Sequence, residues 1–381
     1  MMFCLLWTIT IIACLLCAAY VLMIVLFSVG WIRTGHSVTV PSAMVSVAVV
    51  IAARNEEDTI SACLDALLLQ SYTGEVNIIV VDDHSEDRTA DAVREYCIRY
   101  PRIRLLNTEG SGKKAAITTA VQGTDAELII TTDADCVTDA EWLESIVSFY
   151  EETDAVMIVA PVAFVNEKSM FEKMQSLEML ALMGSTCGSL YFNKAILCNG
   201  ANLAYTRKAF NEVRGFEGID RQPSGDDVLL MYKIRERYPK GLRFLKDHRA
   251  IVSTPAKASL HEFVEQRKRW ASKSFAAFNA ETKWVSALVY LFSLFILLMA
   301  VLSPLASVNS GICLSFFQIC LILTGIKCVF DFLLLFLAAS FFKKQRYLYL
   351  FLPEQFMYVF YVVLTGLLGK RGRFEWKGRK F

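Results

Sequence analysis

Three acidic clusters hold most of the chemistry this sequence offers. Asp133-Ala134-Asp135 follows the apolar run 127–131. Two carboxylates two residues apart at a strand end suit Mg2+ or Mn2+, with room for water and diphosphate oxygens. Such a cation neutralises charge on a departing nucleotide diphosphate. The same residues also suit a solvated turn, with Asp139 capping the next helix. Asp82-Asp83 closes a second apolar run. A carboxylate there accepts from a base N–H and a ribose hydroxyl, while Asp83 or Ser85 equally suits a helix cap. Gly225-Asp226-Asp227 opens an amphipathic stretch. Asp227 suits either a general base for an acceptor hydroxyl or a further cap.

Basic and small residues fill out the set. Lys113 and Lys114 follow Gly112 at a predicted helix start, where the dipole disfavours cations, so an anion partner is favoured over a solvated first turn. In Cys198-Asn199-Gly200-Ala201-Asn202, Gly200 and Ala201 permit close approach of a substrate to the backbone. Residues 258–278 carry an amphipathic helical pattern. Gln266, Arg269 and Trp270, spaced i, i+3, i+4, point the same way. Arg267, Lys268 and Lys273 with aromatic neighbours suit a helix lying among headgroups.

Alternating strands and helices must position these groups. Residues 45–53 and 76–81 are β-branched, apolar runs of the kind buried on both sheet faces, followed by a short strand at 103–106 and another at 127–131. Helices are predicted from Asn55 to about Gln70, from the 82–87 turn to about Tyr100, over 113–122, 166–183 and 228–238. This order implies an α/β, doubly wound, mostly parallel sheet, whose ligands bind at the carboxyl ends of the strands. Residues 54–57, 82–83 and 133–135 all fall at such ends. Neither GxGxxG nor GxxxxGK[ST] occurs.

Composition divides the chain. Of 381 residues, 55% are hydrophobic and 20% charged, and a net charge of +1 gives no reason to expect nucleic acid as a partner. Residues 3–31 lack any charge and exceed the roughly 20 residues needed to span a bilayer. No positive region precedes them and Arg33 follows, which predicts an uncleaved anchor with the next domain in the cytoplasm. Residues 285–304, 312–342 and 347–369 are further spanning candidates, the last interrupted by Pro353-Glu354-Gln355 and readable as a re-entrant hairpin. Lys327 and Asp331, spaced i, i+4, read as a neutralising pair within the second. The basic tail 370–381 and Lys343, Lys344 and Arg346 claim the same side of a membrane, which three spans do not allow. The eleven cysteines show no metal-type spacing and suit a reducing cytosol.

Taken in order, VVIAARNEEDTI (49–60), VVDDHSEDRT (80–89), GKKAAI (112–117), TTDADC (131–136), CNGANLAYTR (198–207), GDD (225–227) and QRKRW (266–270) resemble the family 2 glycosyltransferases. These are inverting enzymes of GT-A fold that include ceramide glucosyltransferases and membrane-bound hyaluronan and cellulose synthases. The resemblance implies that Ala53, Arg54 and Glu56 line the nucleotide pocket, Asp83 holds the base and Lys113 contacts the nucleotide. It implies that Asp133 and Asp135 are the metal pair, with Asp135 the principal ligand. Asp227, beside Asp226, matches the catalytic base; Gln266, Arg269 and Trp270 match QxxRW, with Arg269 on the diphosphate and Trp270 under the acceptor channel. Where cellulose synthases have Phe-Cys-Gly this chain has Cys-Asn-Gly, so acceptor identity does not carry over.

The expected organisation is an anchor at 1–33, a cytosolic GT-A domain at 42–257, an interface helix at 258–283, a membrane region at 284–369 and the tail. The expected activity is transfer from a nucleotide-diphosphate sugar, a UDP-sugar foremost, to a lipid, lipid-linked or glycan acceptor at the cell membrane. Processive polysaccharide synthesis is the alternative, and an inactive membrane scaffold a third reading.

Overall fold

The computed structural model describes residues 2–35, 41, 44–220, 222, 225–275, 279–306, 316–369, 375–376 and 379–380. Helix α1 (Met2–Arg33) leads into an alternating series: β1 (Val47–Ala53), α2 (Ile60–Leu68), β2 (Val76–Asp82), α3 (Thr89–Arg99), β3 (Ile103–Asn107), α4 (Lys113–Gln122) and β4 (Leu128–Asp133). Next come β5 (Val137–Thr138), α5 (Trp142–Glu152), β6 (Met157–Val159), β7 (Val162–Val165), α6 (Met170–Tyr191), β8 (Leu203–Thr206), α7 (Arg207–Glu212), α8 (Asp226–Arg237), β9 (Leu242–Phe244), β10 (Val252–Pro255) and α9 (Leu260–Phe275). The C-terminal part holds α10 (Ala280–Ala306), α11 (Phe316–Phe341), a 3-10 turn (Gln345–Leu350), α12 (Phe351–Gly369), β11 (Glu375–Trp376) and β12 (Arg379–Lys380).

Seven strands form the central sheet in the order β3-β2-β1-β4-β8-β6-β9. Strands β1 to β4 pair in parallel, and their register aligns Ala53 with Asp82 and Ala52 with Asp133. One sheet edge therefore carries all three polar clusters, as the strand-end rule requires. Strand β8 runs antiparallel to both β4 and β6. Its pairing of Leu203 with Thr131 brings the preceding residues, 198–202, to the carboxyl edge of β4 beside Asp133. A three-stranded sheet, β5-β10-β7, begins two residues after Asp135, so the 133–136 turn is held between two sheets.

One helix start differs from expectation. Helix α2 begins at Ile60 rather than near Asn55, because Asn55 has a left-handed backbone (φ 51°) that cannot open a right-handed helix. Helix α3 opens at Thr89, after the 82–87 turn as expected, but Asp87, not Asp83 or Ser85, accepts from the Thr89 N–H at 3.0 Å. The two turns instead hold each other: Glu86 N–H donates to Asn55 Oδ1 (2.9 Å) and Glu56 N–H to Thr89 Oγ1 (2.7 Å).

Asn202 is fully buried and joins three elements. Its Nδ2 donates to Pro161 O and Ala250 O, both at 2.7 Å, while its Oδ1 accepts from Trp142 Nε1 at 3.1 Å. This fixes the end of the 198–202 loop. Thr131 Oγ1, donating to Gly200 O at 2.9 Å, fixes its middle.

Among the described residues, four helices are long and apolar enough to cross a membrane: Leu6–Arg33, Ala280–Pro304, Phe316–Phe341 and Gln345–Leu367. Pro353 stands in the first turn of α12, where no helical bond needs its N–H, and the segment runs on as one helix instead of a hairpin. Lys327 and Asp331 do pair, at 2.5 Å, and bind neighbouring helices as well: Lys327 Nζ donates to Gln355 and Tyr20 Oη to Asp331. At the domain, α1 crosses α6 at Gly30 and Gly188, where a Cβ on Gly30 would lie 2.3 Å from Gly188 O. Lys344 pairs with Glu167, which seats the turn between α11 and α12 on the globular domain. Of the tail's basic residues, Lys370, Arg371, Arg373 and Lys377 lie outside the described residues, as do the side chains of Lys273, Phe275 and Phe278.

Arg267 does not lie among headgroups. It is 4% exposed, grips both carboxylate oxygens of Glu178 on α6, and stacks over Phe263 and Trp270. Tyr361 of α12 donates to the same carboxylate. Glu178→Ala leaves a buried guanidinium without its counter-charge and is expected to cost about 3–5 kcal/mol. The double substitution Glu178→Leu with Arg267→Met recovers most of that loss, read as the melting temperature of the detergent-solubilised protein. Asn202→Ala, which leaves an indole N–H and two carbonyls without their partner, is expected to cost about 3 kcal/mol in the same measurement.

Candidate functional site

Strand ends and helix starts meet around a cavity of about 710 Å³. Ala53, Arg54, Glu56, Asp83, Lys113, Asp133, Asp135, Asp226, Asp227, Gln266, Arg269 and Trp270 all line it. Residues as far apart in sequence as Ala53 and Trp270 thus share one space.

On the β1–β2 side the groups are rigidly held. Arg54 is buried; its Nη1 donates to the carbonyls of Asp83 and His84, and its Nη2 to Glu86 at 2.9 Å. The guanidinium therefore ties the two strand-end turns together. Asp83 is 2% exposed, and its Oδ1 accepts from the Gly112 N–H at 2.9 Å, which fixes the start of α4. Glu56 Oε2 accepts from the Thr59 hydroxyl at 2.9 Å.

The two lysines part company. Lys113 enters the cavity, 2.5 Å from Asp133 Oδ1 and 3.8 Å from Asp226 Oδ2. Lys114 turns away to the carbonyls of Ile219 and Gln222. Burial alone lowers the pKa of Lys113, but the charges of Asp133 and Asp226 outweigh it and hold the ammonium above its ordinary range. Burial likewise works to raise Asp133, and the charge and hydrogen bond of Lys113, with the charge of Arg269, bring it below the ordinary carboxylate value.

Asp226 and Asp227 occupy the first turn of α8, where the dipole favours carboxylates, and Gly225 before them takes φ 89°. Asp227 is 7% exposed. Its Oδ1 accepts from the Val228 N–H at 2.8 Å, as an N-terminal carboxylate does, and its Oδ2 accepts from the Gly200 N–H at 3.2 Å. Gly200 is where a side chain cannot easily enter: a Cβ there would stand 3.2 Å from Lys113 Nζ and 3.3 Å from Asp227 Cβ.

Sequence reasoning did not single out Cys136. Its sulfur and the carboxylates of Asp133 and Asp135 lie within 4.8 Å of one another. Burial, then the charges of the two carboxylates, push the Cys136 thiol well above its ordinary pKa. The two carboxylates are the hard oxygen donors that Mg2+ or Mn2+ takes, and they fit such an ion without the sulfur. Glu178, Arg267, Tyr361 and Thr365 also line the cavity. Helical spacing places Arg267 three residues before Trp270, a signal available in sequence; nothing there marks Tyr361 or Thr365.

Residues 48–214 match the family model for Glycosyl transferase family 2. An N-acetylglucosaminyltransferase of Rhizobium meliloti is 28% identical over 246 residues, covering 60% of this chain and 56% of its own. Glycosyltransferase AglE of Haloferax volcanii is 30% identical over 125 residues, 32% of this chain and 41% of that one. The chain thus spans about half the length of the curated relatives it matches. Among solved structures, mannosyltransferase PcManGT from Pyrobaculum calidifontis, in complex with GDP-Man and Mn2+, has a TM-score of 0.63 at 20% identity, over 95% of this chain and 99% of that one. That likeness establishes the fold as GT-A type, and residues 48–214 are similar to the glycosyl transferase family 2 model.

Proposed function

We propose that the chain is an inverting, metal-dependent glycosyltransferase. It moves a sugar from a nucleotide-diphosphate donor, a UDP-sugar foremost, to a membrane lipid or lipid-linked acceptor. The observation that carries this reading is the meeting of Asp133, Asp135, Lys113, Asp227 and Arg269 in one cavity that membrane-type helices also line. The names of the relatives, N-acetylglucosaminyl- and mannosyltransferases, support a hexosyl or N-acetylhexosaminyl donor. The domain faces the cytoplasm: Lys344, seated on Glu167, keeps the basic turn 343–346 on the domain's side, and such turns favour the cytoplasmic face.

In this reading Ala53, Arg54 and Glu56 wall the nucleotide pocket, and Asp83 receives the base. Lys113 and Arg269 place positive charge beside the diphosphate, where negative charge develops as the bond breaks. Asp133 and Asp135 hold Mg2+ or Mn2+, which when bound neutralises the leaving diphosphate. Asp227 takes the acceptor's hydroxyl proton as that oxygen bonds to C1 of the sugar. The C1–O bond to diphosphate breaks with its electron pair going to the diphosphate, and the anomeric centre inverts. Gly200, donating its N–H to Asp227 Oδ2, orients the carboxylate for this step. Gln266 and Trp270 border the acceptor side.

Mass spectrometry of products from membranes supplied with a panel of nucleotide sugars tests the reading. One mass increment on a lipid is expected; a ladder of increments would refute single transfer in favour of processive synthesis. Absence of turnover with every donor sinks the enzymatic reading and leaves the scaffold. Asp227→Asn is expected to lower transfer by roughly 10²–10⁴-fold while donor binding, measured by nucleotide titration, persists. Asp135→Ala is expected to abolish the Mg2+ or Mn2+ dependence of donor binding together with turnover.

A further inference from the structure

A second cavity, of about 760 Å³, lies between α1, α6, α10, α11 and α12, within the range of small-molecule sites. Its walls are largely apolar, with Met23, Ile24 and Phe27 from α1, Ala181 from α6, and Val285 and Val289 from α10. It adjoins the site already described. Glu178, Leu182, Ile196, Leu197, Thr282 and Thr365 line both cavities. The shared rim includes the start of the segment that ends at Gly200, whose N–H meets Asp227. Tyr232 fixes that rim by hydrogen bonds to Ile196 O (3.3 Å) and Thr282 Oγ1 (2.7 Å).

The depth of the cavity is informative. On α10 its lining runs from Thr282, at the globular domain, to Leu291, which at 1.5 Å per residue is about 14 Å. That is close to half of a hydrocarbon core roughly 30 Å thick, the depth of one leaflet. The inner end meets Tyr20, Asp331 and Gln355, whose contacts with each other and with Lys327 join α1, α11 and α12. Leu291 and Leu367 line the cavity and are also 40% and 60% exposed, so it reaches the outer apolar surface between α10 and α12.

We infer that this cavity is the binding slot for the hydrocarbon tail of the acceptor lipid. The tail enters sideways between α10 and α12 and leaves the lipid's hydroxyl-bearing head at the rim beside Asp227. The inference rests on the lipid-acceptor reading and adds the place and depth of the tail. A tail already in the bilayer gains no hydrophobic transfer on entering the slot, so the slot discriminates among tails by packing and fit. The slot selects the acceptor by its tail, while the polar cavity selects the donor.

The test uses the full chain in lipid nanodiscs and hexadecanol carrying a terminal diazirine as the probe. After irradiation, mass spectrometry is expected to find adducts at Ser185 and Tyr290, which line the slot, as well as at Phe336 and Phe360 on the outer surface. Ala287 lines the slot and is exposed, so a large side chain there fills the space without displacing core. In Ala287→Trp, labelling at Ser185 and Tyr290 is expected to fall about tenfold, which corresponds to about 1.4 kcal/mol. Labelling at Phe336 and Phe360 stays unchanged and reports that the variant is folded. Adducts confined to the outer surface, or equal at Ser185 in both proteins, overturn the slot. A protein that labels at the slot yet glycosylates no lipid retains the slot and loses the acceptor reading; one that glycosylates lipid but labels only outside does the reverse.

Discussion

Lys113 is the charge on which the site depends. Asp133, Asp135, Asp226 and Asp227 all face one cavity, and carboxylates a few ångström apart repel by about 1 kcal/mol even in bulk water and more where water is partly excluded. Lys113, 2.5 Å from Asp133 and 3.8 Å from Asp226, bridges a residue at the end of β4 and one at the start of α8. The lysine stands at the start of α4, a position the helix dipole disfavours, and the two carboxylates offset that cost. Asp83 accepts from the Gly112 N–H, so the turn after β2 and the end of β4 are both tied to the start of α4.

Strand direction is the second constraint. Four parallel strands bring three polar clusters to one edge, but the part of the cavity that holds Asp226 and Asp227 needs a contribution from elsewhere. The antiparallel β8 supplies it, because its entry rather than its exit lies at that edge. Gly200 arrives there with no side chain, close enough to touch both Lys113 and Asp227, and Asn202 locks the strand's entry from beneath.

What could be read in the sequence follows from range. Buried strands show as unbroken apolar runs, and strand ends show as polar residues after them, so the parallel half of the sheet and the convergence at 54–57, 82–83 and 133–135 were legible. The start of α2 was not, because Asn55 takes its left-handed turn with the help of Glu86, 31 residues away. The same holds for Arg267: its basic character and aromatic neighbours suit a headgroup layer, and only Glu178, 89 residues earlier, takes it into the interior. The antiparallel sense of β8 was likewise hidden, since four residues carry no directional signal. Cys136 lay in plain view but showed no metal spacing, and its closeness to both carboxylates comes from the turn that joins two sheets, which sequence does not display.

The membrane-type helices are coupled to the site by a buried ion pair rather than by apolar packing alone. Glu178 belongs to α6, Arg267 to the helix that carries Gln266, Arg269 and Trp270, and Tyr361 to α12; one carboxylate binds both partners. A buried pair is weak evidence for net stability, because an apolar replacement is often as stable. Its value lies in geometry: bidentate contact fixes the rotation of α9 as well as its position. That rotation sets Arg269 toward Asp133 and lays Trp270 beneath the Arg267 guanidinium. Any tilt of α12 must therefore move Tyr361 against Glu178, and through Arg267 shift Gln266, Arg269 and Trp270 on the cavity wall.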